Sequence, residues 1–105
     1  GASGNVVLSS GNGARGGDMA LMPGDSSDRL GASVSVRAGS VASKSVGSEA
    51  GSVSIEGGQA LHQGIGGSLK FVSGASSEAT GEVAVGTASP DSLLGSSGGL
   101  ALSTG

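Results

Sequence analysis

Val53-Ser54-Ile55-Glu56-Gly57-Gly58 and Leu69-Lys70-Phe71-Val72-Ser73-Gly74 carry the pattern on which the whole chain is read. In each, two apolar residues stand one position apart and a glycine follows three positions later. The same phrase occurs upstream as Val6-Val7-Leu8 to Gly11, Met19-Ala20-Leu21 to Gly24 and Val34-Ser35-Val36 to Gly39. Downstream it becomes Val83-Ala84-Val85 to Ala88 and Leu100-Ala101-Leu102 to Gly105. A unit that recurs at near-regular spacing is the mark of a repeat architecture, in which each unit covers its apolar side against its neighbours.

The phrases begin at 6, 19, 34, 53, 69, 83 and 100, so the repeat is 13 to 19 residues long. The phrase keeps its length and the connection varies, as when insertions lie in surface loops. Apolar residues at i and i+2 share one face of an extended chain, and valine at many of these positions favours a strand. No stretch sustains a helical stripe, and glycine recurs too often for a helix interior. The expected fold is therefore all-β: a narrow β-solenoid or two-sheet stack of about seven short strands, as a single array over 1–105. In the preferred arrangement consecutive phrases alternate between two facing sheets. One phrase per turn and an antiparallel meander are the alternatives.

In that arrangement Val36, Ile55, Phe71 and Val85 are expected inside, and Ser35, Ser54, Lys70 and Ala84 on the opposite side. Six apolar residues of the connections, Ala14, Leu30, Val46, Ile65, Ala79 and Leu94, are expected to fold back as plugs over the ends of a thin core. Glycine beside most of them would allow the sharp corners. Both ends stop in phase with the repeat and neither shows a polar cap. This is the expectation for a section of a longer array or a subunit that stacks end to end.

Composition narrows the function. The 105 residues include 23 glycines, 22 serines and a single aromatic residue, Phe71. A globular core normally draws on aromatic side chains, each burying roughly 150–250 Å², so a thin layer of Val, Leu and Ile is the alternative. The formal net charge is -3, and the five basic residues, Arg15, Arg29, Arg37, Lys44 and Lys70, are scattered singly. Phosphate binding needs them clustered, so nucleic acid is not expected as a partner. There is no cysteine for a disulfide framework or thiolate site. No apolar run reaches the roughly 18 residues of a membrane span.

Four stretches invite a chemical reading. Gly11-Asn12-Gly13-Ala14-Arg15-Gly16 fits G-x-G-x-x-G, but a dinucleotide site needs a helix to follow, and here the Met19 phrase follows. Gly95-Ser96-Ser97-Gly98-Gly99 fits the hydrolase G-x-S-x-G, which needs a strand-to-helix elbow and a histidine beside the serine. His62 is the sole histidine, and it lies in a connection without obvious metal-ligand partners. Asp25 and Asp28 are the closest approach to a calcium site, at a spacing that matches neither the EF-hand nor the calcium-binding β-roll. The expectation is no catalytic, cofactor-binding or metal-binding residue, and no enzyme.

The pattern [Gly/Ser]-x-Val-x-Val/Leu-x-x-Gly, joined by Ser/Gly/Ala-rich connections, resembles the tandem repeats of large extracellular proteins in algae and oomycetes. It is more weakly similar to the repeats of filamentous haemagglutinin-type adhesins. The resemblance implies a β-solenoid in an extracellular fibre or on the cell surface, with other copies of the chain and other fibre or cell-wall components as partners. A surface adhesion module for carbohydrate or ice is the second class of function. Against it stand the want of exposed aromatics for sugar stacking and the failure of Thr80, Thr87 and Thr104 to form a ladder.

Overall fold

A computed structural model describes all 105 residues. It overturns the all-β expectation: the chain contains no strand, no sheet and no helix. The seven phrases are present as chain without regular structure. The bends and turns, at 13–15, 27–29, 45–47, 61–64, 77–78 and 91–94, fall in the six connections. The bends thus fall between the phrases, and the phrases do not pair into ladders.

The physical reason lies in what each phrase offers a neighbour. A strand is held by alternating backbone bonds to a partner and by side-chain pairs across the ladder. These phrases give two apolar side chains apiece, set among glycine and serine, which are weak or neutral strand formers. Ordering each residue costs roughly 1–2 kcal/mol of backbone entropy. Two aliphatic side chains in a repeat of 13 to 19 residues do not offset that cost within a single chain.

No residue is buried. The side chains expected inside are open instead: Val36 is 72% exposed, Ile55 57%, Phe71 66% and Val85 74%. The plugs over the core ends are not formed either, since Leu30, Val46, Ile65 and Leu94 all stand in solvent. With no core beneath them, nothing draws them back.

What order exists is local and repeated. The chain falls into two parts, Gly1–Ser54 and Ile55–Gly105. In the first, the Gly17 amide donates to the Gly11 carbonyl (3.3 Å) and the Gly51 amide to the Gly39 carbonyl (3.0 Å). In the second, the Gly67 amide donates to Gly58 (2.9 Å) and the Gly81 amide to Gly74 (3.1 Å). All four bonds join the glycine that ends one phrase to the glycine two residues before the next. Each closes the base of a connection, and we call it a clasp. Seen this way the repeat is eight residues long, occupying 4–11, 17–24, 32–39, 51–58, 67–74, 81–88 and 98–105.

Two of the clasps, at Gly51 and Gly67, are tight. A Cβ on Gly67 would lie 3.1 Å from the Gly58 amide nitrogen, and one on Gly51 would lie 3.3 Å from that of Gly39. The ending glycines Gly11, Gly39, Gly58 and Gly74 have open space where a Cβ would go. The residue before each ending glycine also meets the clasp. Ser10, Ala38 and Ser73 each have their Cβ 3.4 Å from the Cβ position of the starting glycine. At the fourth repeat this residue is Gly57, where a Cβ would fall 2.7 Å from the Gly67 carbonyl oxygen. Ala38 and Ser73, both beside clasps, are the only residues that are partly covered rather than exposed.

Two junctions lack a clasp, from Gly24 to Ala32 and from Ala88 to Gly98. Where a clasp forms, Ser, Ala or Gly precedes the ending glycine and a glycine begins the next repeat, and both of these junctions depart from that. The first has Pro23 before its ending glycine and alanine at its start, and the second has the β-branched Thr87 followed by Ala88.

Candidate assembly surface

The apolar pairs are the largest chemical feature of the chain. The first member of each pair after the opening repeat (Met19, Val34, Val53, Leu69, Val83 and Leu100) is 52–58% exposed. In the repeat 4–11, Val6 is 97% exposed. In the six later pairs the second member is more open than the first, and Leu102 reaches 91%. Each repeat consequently presents an apolar pair whose members are both more than half exposed.

The connections are organised by their serines. The Ser26 hydroxyl accepts from the Asp28 amide, Ser43 from Ser45, and Ser76 from Glu78, each at 3.1 Å. These are local serine turns, in which the hydroxyl takes the place of a backbone acceptor. The Asp28 carboxylate accepts from the Arg29 amide at 2.8 Å, so its oxygen is turned onto its own backbone. In the connection 40–50, Ser48 donates to the Ser45 carbonyl at 2.9 Å around Gly47, whose φ is 84°. That left-handed conformation favours glycine. The Ser10 hydroxyl donates to the Gly17 carbonyl at 2.8 Å, adding a second bond to the first clasp.

The stretches considered for chemistry take their places in this scheme. Gly11 to Gly16 runs from a clasp carbonyl through the bend at 13–15, and no helix follows it to meet a pyrophosphate. Gly95 to Gly99 follows a turn and has no elbow. His62 lies in the bend at 61–64 with its side chain exposed. The chain has no pocket, and no three of its His, Asp and Glu residues converge on a point that could hold a metal ion.

Sequence reading did not single out the starting glycines Gly17, Gly51, Gly67 and Gly81 as contact points. Their regular place two residues ahead of each phrase was the available signal. Comparison with protein-family models, with curated proteins and with solved structures finds no match to this chain.

Proposed function

We propose that this protein is a structural repeat protein that builds an extracellular filament, fibre or surface appendage by association of its copies. One observation carries the reading: the chain has seven apolar pairs in register with a repeat, and none is buried. Its accessible surface is 10880 Å², whereas a folded monomer of 9.6 kDa exposes about 5,100 Å². Large apolar surface left open on a soluble chain marks a site of association. Repetition of the same pair favours a partner with the same repeat, because each pair then meets an equivalent one. The extracellular or surface location rests on the resemblance of the repeat pattern. In this reading the protein is not an enzyme, and its serines and glycines serve turns and clasps rather than chemistry.

The experiment is imaging by negative-stain electron microscopy across a concentration series of the purified chain. The reading expects elongated assemblies that lengthen or multiply with concentration. Isolated single chains at every concentration would contradict it.

A further inference from the structure

The connection 12–16 is the shortest of the four that a clasp closes, and it opens on Asn12-Gly13. Its ends are held twice, by the Gly17 amide on the Gly11 carbonyl at 3.3 Å and by the Ser10 hydroxyl on the Gly17 carbonyl at 2.8 Å. Between those ends the chain bends at 13–15. The bend brings the Arg15 carbonyl oxygen to 3.2 Å from the point where a Cβ on Gly13 would lie, so it favours glycine there. Asn12 and Gly13 are both exposed, and neither the Asn12 carboxamide nor the Gly13 amide joins the hydrogen bonds that hold the connection. An asparagine carboxamide and the next backbone amide are one ring closure apart, and glycine in that next position puts no side chain in the way. Asn5, the only other asparagine, is followed by Val6, whose branched Cβ crowds the same approach.

We infer that Asn12-Gly13 is a self-modifying site, at which water replaces the side-chain nitrogen of Asn12 and the first clasp opens as a result. The Gly13 amide nitrogen gives up its proton to hydroxide and attacks Cγ of Asn12. A bond forms between that nitrogen and Cγ, the Cγ–Nδ2 bond breaks, and the leaving nitrogen takes a proton from water and departs as ammonia. Water then opens the resulting five-membered imide at one of its two carbonyls. Opening at Cγ restores the ordinary main chain, with aspartate at 12. Opening at the backbone carbonyl leaves isoaspartate, in which the main chain runs through Cβ and Cγ. Nothing is oxidised or reduced: one water enters and one ammonia leaves. Either product adds a negative charge to the net -3, but only isoaspartate lengthens the main chain, by one methylene. In a connection whose ends meet through a bond of 3.3 Å, that added atom displaces Gly17 from Gly11. The step is intramolecular and does not depend on assembly of the chain.

The test ages the dilute full chain in mildly alkaline buffer and follows both asparagines by mass spectrometry of the tryptic peptide 1–15, which contains them. Electron-transfer fragmentation separates aspartate from isoaspartate. Conversion at 12 is expected to run at least about tenfold faster than at 5 and to quicken as pH rises. In Gly13→Ala it is expected to slow at least about tenfold. The Gly17 amide is read by NMR in the same samples. Its exchange is expected to quicken as isoaspartate accumulates, and to stay as in the unaged chain in Asn12→Asp, which carries the charge on an unlengthened main chain. Equal rates at 5 and 12, or no conversion at 12, would overturn the site. Conversion at 12 with unchanged exchange at Gly17 would overturn its link to the clasp. Equal quickening in Asn12→Asp would overturn the role of the added backbone atom by assigning the effect to charge.

Discussion

Glycine performs two different tasks in this chain, and the structure separates them. At Gly67 the neighbouring backbone leaves 3.1 Å for a Cβ, while at Gly58, its clasp partner, the space is open. Gly67→Ala is therefore expected to loosen the clasp, at a cost of about 0.5–1.5 kcal/mol for the hydrogen bond. Gly58→Ala should cost less. Amide exchange at position 67, read by NMR, checks the pair: faster exchange is expected in Gly67→Ala, with little change in Gly58→Ala. Equal effects would mean that the asymmetry of the clasp is not a property of the molecule. The ending glycines were legible in the sequence because they close every phrase but one. The starting glycines were harder to weigh, since in a chain with 23 glycines position alone does not distinguish a close approach from a flexible spacer.

At the scale of the element, the eight-residue repeat and the connection behave as separable parts. Clasps close connections of five residues (12–16), six (75–80), eight (59–66) and eleven (40–50). Loop-closure entropy grows slowly with length, about 0.6 kcal/mol per doubling, so one backbone bond can serve them all. Replacing 40–50 by the sequence of 12–16 is expected to leave the Gly51 amide bonded to Gly39, with unchanged exchange at Gly51. Loss of protection there would show that the serine turns, and not the clasp, set that junction. This is also where the sequence reading went astray. Alternation at Val53-Ser54-Ile55 and Leu69-Lys70-Phe71 indicated extended chain, but extended chain becomes strand only when a partner lies beside it. The periodicity of side chains cannot report whether the backbone finds that partner within the same molecule.

For the whole molecule, the decisive quantity is the uncovered apolar surface. Phe71 is 66% exposed in the single chain, so Phe71→Asp should leave the circular dichroism of dilute protein unchanged. In an assembly the same substitution places a charge in an apolar contact, a cost of several kcal/mol, and the assembly threshold should rise more than tenfold. Lys70→Asp, in the neighbouring position, should shift the threshold far less. Equal shifts at 70 and 71 would remove the distinction between the apolar pairs and the residues between them. A net charge of only -3 spread over 105 residues gives little long-range repulsion to oppose association at physiological salt. The repeat itself was plain in the sequence. The missing core was foreshadowed by a single aromatic residue, but a thin aliphatic layer remained a reasonable solution until the exposures of Ile55 and Val85 excluded it.

Sedimentation velocity of the wild-type chain over a thousand-fold range of concentration tests the central claim most directly. The account predicts that the 9.6 kDa chain gives way, as concentration rises, to a broad and growing distribution of larger species with no single closed oligomer dominating. A single boundary at the monomer mass across the whole range would contradict it.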